Sequence, residues 1–591
     1  MKEERKNKDT ILSSLKGFLQ KFLQEKPFLF SLVLNTILFA FFFISLTPNF
    51  NTNDDYELLS IVAGRYGEPS EMMVFTNVII GKILVSLYKF NIHIPWYSLY
   101  LIFGIFISNI VLTYLLFKFQ PNLLTLFFSI LLSLFFIIIN YINIQYTIVA
   151  GLLMLSGMSL LFSSNFMNKT TKFSKYLIYF FGSLIFIFGS LIRFENFFLI
   201  NFLFMSIIII ISLKFFKEAK ERKRIIRFVF IFIITICSSY ILKKYNDSFY
   251  IVNQEFNKFI EYQSYRPILM GQQLLELQDN ITKNKILTSV GWSNNDYKMI
   301  PYVFSFPNDI YSLEKLEKIV NNEKIKSNHI EYYLNKFIFS LKSWDKLIIN
   351  PVTIIAILLL LISINIFKIP KQTRILTFFI IWIIFVIILI STLTKPLPLR
   401  VFYTILTYLI LIPFFIMIIN KDNRNNDIRI NKNLIIIFTI PLILFASIVI
   451  FFSNIYNKIN QMEFKYFTEK LKLPIMYVLK GGAYPFQFYP PLMDISELDN
   501  FNSIGLGWGT AHPVNLKRIE KLKINDLYLD LINRKDLFLI SSHIPKNKLE
   551  NDVYKTYMKE HYNLDIDYYV LADLRFSFVN NLKLVKPYIK R

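Results

Sequence analysis

Val74-Phe-Thr-Asn-Val-Ile-Ile-Gly-Lys-Ile-Leu-Val-Ser-Leu-Tyr-Lys-Phe90 is apolar enough to cross a membrane or to lie on its surface. The choice fixes the side of every later loop. Read as a span, it sends the cluster Lys214, Lys217, Lys220, Arg222, Lys223, Arg224 and Arg227 outward, against the tendency of Lys and Arg to stay on the cytoplasmic side. Read as a surface helix, it returns that cluster to the inside, along with the basic connections at 165–175, 368–374 and 420–433. At about 100° per residue, Lys82, Ser86 and Lys89 fall within roughly 60° of one another, which gives the segment one polar face. A helix lying in the interface is the expected outcome.

The rest of the chain supplies the spans. Of 591 residues, 54% are hydrophobic, and the mean hydropathy is +0.44. Apolar runs of about 17–23 residues recur, enough to cross a bilayer as helix. They lie near 28–46, 95–117, 122–140, 145–164, 176–192, 197–213, 225–242, 347–367, 375–394, 400–419 and 434–453. The sequence therefore predicts a polytopic α-helical membrane protein with about eleven transmembrane helices. Residues 1–26 carry seven Lys/Arg and form a basic, cytoplasmic N-terminus. No small-residue cleavage site follows Leu46, so the first span is expected to be a retained anchor. Residues 27–242 and 347–456 are the two membrane regions. Residues 243–346 form an extracytoplasmic loop domain and 457–591 an extracytoplasmic α/β module. In that module helices are expected at 526–534 and 546–562, a strand at 536–540 and two strands within 566–585.

The formal net charge of +24 suits loops obeying the positive-inside rule, and no nucleic-acid-binding motif accompanies it. A single cysteine, Cys237, excludes an intramolecular disulfide. No Cys/His cluster has metal-site spacing, and the sequence calls for no cofactor.

Three short connections fall on the outer side and carry the candidate chemistry. Asn51-Thr-Asn-Asp-Asp-Tyr-Glu57 follows the first span. Asp54 or Asp55 is a candidate general base for an attacking hydroxyl. Read as an extended loop, it turns the two carboxylates opposite ways, leaving the second to orient the loop or help hold a divalent cation. Arg193 and Glu195 lie between two apolar runs, where an arginine is costly unless paired or bound to something. Lys395-Pro-Leu-Pro-Leu-Arg400 ends on an arginine whose planar fork suits a phosphate. The plainer readings are two solvated acids, a structural Arg193–Glu195 pair, and an Arg400 reaching for headgroups. Convergence on one membrane face favours a site for a substrate with an anionic, membrane-embedded portion.

This layout resembles the GT-C superfamily of membrane glycosyltransferases. The matching features are Asn53-Asp54-Asp55 in the first outer loop, a surface helix after it, Arg193 in an outer turn, Arg400 beside a late span and a soluble C-terminal domain. Gly64-Arg-Tyr-Gly67, Trp96-Tyr97 and Gly291-Trp-Ser-Asn-Asn-Asp296 look like features of bacterial proteins of this type. The resemblance implies a polyprenyl-phosphate sugar donor and a glycan, lipid or protein acceptor. It implies Asp54 or Asp55 as base, and Arg193, Arg400 and Lys395 at the lipid phosphate. Glu195 and Trp292 are possible supporting residues, Trp292 either as a sugar platform or as a core aromatic. Two other readings compete. A polysaccharide polymerase or ligase would use the arginines without the carboxylate pair. A lipid-linked-sugar flippase would usually place charges in mid-span, and these spans are nearly free of them.

Overall fold

The computed structural model describes residues 17–590, apart from 168–170, 216–218, parts of 267–278, 304–308, 323–343, 370–372, 394–396, 421–430, 472–474, 481–483, 499–500, 510, 542–551 and 575–581. Among the described residues, ten helices are long and apolar enough to cross a membrane, and the protein is a multi-pass helical membrane protein. They are α1 (Pro27–Ser45), α4 (Trp96–Phe119), α5 (Leu123–Phe136, continued by a π turn to Tyr141), α6 (Tyr146–Ser164), α7 (Lys172–Ile192), α8 (Glu195–Phe215), α9 (Ala219–Val252), α15 (Thr373–Leu393), α16 (Leu399–Ile419) and α17 (Lys432–Lys470). The eleventh expected span, 347–367, contains α14 (Pro351–Ile366), which is apolar but only 16 residues long. At 1.5 Å per residue that is about 24 Å, short of a hydrocarbon core of about 30 Å. Asn350 caps its start, and Lys368 leaves it in a left-handed conformation, so both ends are fixed locally.

The stretch 74–90 contains α3 (Val78–Phe90), a helix of 13 residues, about 20 Å long at 1.5 Å per residue. Its start is held by Asn77, whose N–H donates to the Leu191 carbonyl at the end of α7 and whose amide donates to Leu242 of α9. Near its other end, the Tyr88 hydroxyl accepts from the N–H of Tyr97, at the start of α4. Both ends of α3 thus sit at one end of the bundle, and Lys82, Ser86 and Lys89 are exposed as expected. At the opposite end, Lys214 near the end of α8 bonds the Ile419 carbonyl and Asn420 at the end of α16.

The central helix α6 is buried throughout because small residues let its neighbour approach. A Cβ on Gly157 would stand 2.6 Å from Phe186 N, and one on Gly189 2.8 Å from the Ala150 carbonyl. This contact places Arg193, the cap residue of α7, beside Tyr146, the first residue of α6.

Asp54 and Asp55 lie not in an extended loop but in the first turn of α2 (Asn53–Ala63). Thr52 caps it in extended conformation and its hydroxyl donates to Asp55 at 3.3 Å. Acidic residues at a helix N-terminus are favoured by its dipole, and the apolar run after Glu57 supplies the buried face.

Two long helices cross the expected domain boundaries. α9 continues past 242 to Val252, and α17 runs past 456 to Lys470. The remaining polar helices include α10 (Gln254–Arg266), α11 (Asn280–Thr288), α12 (Asn294–Val303) and α13 (Leu313–Val320). Two short strands, β1 (Asn49–Phe50) and β2 (Asn143–Ile144), pair in parallel, and after α17 comes a five-stranded sheet of β3 (Met476–Lys480), β4 (Ser503–Leu506), β5 (Leu537–Ser541), β6 (Ile566–Leu574) and β7 (Leu582–Ile589), in the order β4-β3-β5-β7-β6. β4, β3 and β5 are parallel, while β7 and β6 continue antiparallel. Helices α18 (Pro513–Lys521), α19 (Leu527–Asn533) and α20 (Val553–Tyr562) complete the module. β3, β4 and α18 are additions to the expected elements. The expected helix from 546 is described only from Val553.

The polar block and the C-terminal module pack together. His561 Nε2 lies 2.6 Å from Asp296 Oδ1, and Asn295 donates to the Val553 carbonyl. Asp296, Glu560 and His561 are close enough to suggest a cation, but their oxygens are already engaged. Asp296 Oδ2 accepts from Ser293 N, and Glu560 accepts from the Ser293 hydroxyl. The group is a lock between α12 and α20.

Candidate active site

The two aspartates are neighbours with different surroundings, because side chains one residue apart on a helix diverge by about 100°. Asp55 is fully buried. Its Oδ1 accepts from the Tyr97 hydroxyl at 3.1 Å and from Tyr146 N at 3.0 Å. Burial pushes its pKa up to about 8, outweighing the Tyr146 N–H that favours the charge. Asp54 keeps 29% of its side chain exposed. Its Oδ2 lies 3.4 Å from Arg400 Nη1, and its Oδ1 accepts from the Trp508 indole at 3.0 Å. Burial thus favours the neutral form of Asp55, while Asp54 faces the Arg400 guanidinium and the Trp508 indole N–H.

Arg193 closes the arrangement. Its Nε pairs with Glu195 at 2.8 Å, and its Nη1 donates to the Tyr146 hydroxyl at 3.1 Å. Its guanidinium lies over the Phe75 ring, 4.7 Å from the centroid. Phe75 in turn meets Trp508 edge-on at 4.9 Å. Contacts therefore run from Asp54 through Trp508, Phe75, Arg193 and Tyr146 to Asp55, with Arg400 beside Asp54. The three expected outer connections converge, although Asp54 and Arg400 are 346 residues apart.

Phe75 is aimed by a strained turn. Val74 has φ +67°, and the Phe75 N–H bonds the Met73 carbonyl two residues back. A β-branched residue there is a steric outlier, held by the Tyr250 hydroxyl on Val74 N.

The other expected site residues divide. Glu195 is the exposed partner of Arg193. Lys395 lies outside the described residues. Trp292 is not at the site: it is buried against Tyr311 and donates to the Ile310 carbonyl. It is a core aromatic of the polar block.

Comparison of the chain with protein-family models, curated proteins and solved structures finds no match.

Reading the sequence missed Tyr146, Phe75, Trp508 and Glu57. Glu57 sits one helical turn from Asp54, accepts from the Tyr66 hydroxyl at 2.6 Å, and is pushed up to about 7 by burial. A Cβ on Gly509 would stand 1.8 Å from Glu57 Oε1, so a larger residue there would require the Glu57 side chain to move. Asp54 and Glu57 thus hold the turn that carries Trp508. A signal was present in Thr52-Asn-Asp-Asp55, the Ser/Thr-x-x-Asp/Glu pattern of a helix start. Read so, it would have placed Glu57 on the face of Asp54.

Proposed function

We propose that this protein is a membrane glycosyltransferase of the GT-C type. It transfers a sugar, with inversion, from a polyprenyl-phosphate donor to a hydroxyl of an extracytoplasmic glycan, lipid or protein acceptor. In this reading the N-terminus is cytoplasmic, and the aspartates and C-terminal module face outward. The observation that carries it is the Asp54–Arg400 pair at the bundle end, with Asp55 buried beside it. A general base must be within reach of the attacking hydroxyl, and Asp54, partly exposed where Asp55 is fully buried, meets that requirement. Asp55 is the neutral neighbour that orients Tyr97 and the start of α6.

The step is a single displacement. Arg400 moves from Asp54 to the lipid phosphate and frees Oδ2. The acceptor hydroxyl then gives its proton to Asp54 as its oxygen bonds the anomeric carbon. The bond from that carbon to the phosphate oxygen breaks, and the electron pair leaves with the lipid phosphate. Arg193 and Arg400 stabilise that growing charge, as preorganised donors do.

The test is transfer of labelled sugar from lipid donor in membranes carrying each variant. Asp54→Asn should lower transfer about 10²-fold or more, the scale of a lost general base, with normal accumulation. Arg400→Lys should recover only part of what Arg400→Ala loses, because the fork is gone. Normal transfer by Asp54→Asn alongside failure of the arginine variants would move the polymerase or ligase reading ahead.

A further inference from the structure

Trp508 reaches the aspartates from the soluble module, on the turn between β4 and α18. It is 6% exposed, and a buried indole needs an acceptor for its N–H. Trp96, Trp292 and Trp382 each donate to a backbone carbonyl. Trp508 donates instead to a carboxyl oxygen, Asp54 Oδ1, at 3.0 Å.

We propose that Trp508 is a positioning residue for the base, an assignment that rests on the function proposed above: its indole fixes the Asp54 carboxyl group so that Oδ2 meets the acceptor hydroxyl. Among the described residues, Arg400 and Trp508 are the side chains bonded to that group. When Arg400 turns to the lipid phosphate, the indole is the hold that remains. An indole N–H donates and does not accept, so it cannot take the proton that the hydroxyl gives up. It also selects the oxygen that receives this proton, since Oδ1 is engaged. Without it the carboxyl group turns freely about χ2, and a base displaced from the line of transfer loses rate steeply.

The indole is itself held from several sides. Phe75 meets its ring edge-on at 4.9 Å, from the turn strained at Val74. Gln263, on α10, donates to the Trp508 carbonyl at 3.0 Å, and Gly509 lies against Glu57 of α2. His512, the cap residue of α18, bonds the Met72 carbonyl at 2.8 Å, just before the strained turn. The soluble module therefore grips both the base and the aromatic ring beside it. In this reading the module completes the site instead of hanging from it.

The test uses the purified full-length protein in lipid nanodiscs, with Trp508 replaced by benzothienylalanine, in which sulfur stands where the indole carries its N–H. Ring size and the Phe75 contact are kept, so the melting temperature should not move. Transfer from lipid donor should fall about tenfold or more in kcat. The KM for that donor should be unchanged, the pattern of an interaction felt in the transition state. Combined with Asp54→Asn, the same replacement should cost nothing further, because Trp508 acts through Asp54. A second measurement needs no turnover: the indole N–H resonance of Trp508, assigned by its loss in Trp508→Phe, should shift in Asp54→Ala. An unchanged kcat, a loss that multiplies that of Asp54→Asn, or a resonance unmoved by Asp54→Ala would overturn the proposal. A shifted resonance with no transfer from lipid donor by the unmodified protein would keep the contact and overturn its place in a transferase.

Discussion

At the scale of single residues, the unequal treatment of Asp54 and Asp55 has a measurable signature in stability. An acid near pKa 8 in the folded protein and near 3.8 when unfolded binds more protons when folded throughout that interval. Stability must therefore fall as pH rises from about 4 to about 8, and the loss is complete above the folded value. Glu57, raised to about 7, adds to the same slope. Asp55→Asn removes the larger part, so its melting temperature in detergent should change less between pH 5 and pH 8 than that of the unmodified protein. An equal slope in both would show that Asp55 titrates normally. Arg193 and Arg400 could be found in the sequence because an arginine at an apolar boundary is costly without a partner. Trp508 and Phe75 could not, because nothing local distinguishes them. Their importance arises from contacts spanning hundreds of residues, and from a backbone turn at Val74 that composition does not encode.

At the scale of elements, the packing of α6 against α7 decides whether Arg193 reaches Tyr146. The atoms that would meet a Cβ on Gly157 are backbone, Phe186 N and the Gly182 carbonyl, and neither can rotate away. Gly157→Ala should therefore force the helices apart and cost about 1–3 kcal/mol, the usual range for overpacking. Thermal unfolding in detergent reads this directly, and an unchanged melting temperature would contradict the close approach. Most helices were legible because a run of about twenty apolar residues is nearly sufficient to specify a span. α2 was not, since its polar first turn follows a span closely and passes for a loop. β3 and β4 escaped for a different reason: they are short parallel strands, paired with β5 or each other rather than through a hairpin. Turn chemistry does not announce such strands.

For the whole molecule, the proposed orientation rests on parity: with 74–90 as a surface helix, the basic connections are expected on one side and the candidate site on the other. With Cys237→Ser as background, a cysteine at Lys223 should resist an impermeant reagent in intact cells, while one at Lys559 should react. Both positions are exposed on the protein surface. Labelling at position 223 with protection at 559 would invert the proposed orientation.

The distance in sequence between Asp54 and its indole partner also has a consequence for biosynthesis. Trp508 is made 454 residues after Asp54, and α17, the last of the long apolar helices, ends at Lys470. A ribosome that stalls between those points leaves a nascent chain whose long apolar helices are all synthesised but whose Asp54 has no cap. The site is therefore finished only after the long apolar helices among the described residues are made, and a chain holding all of them can still lack the Trp508 contact.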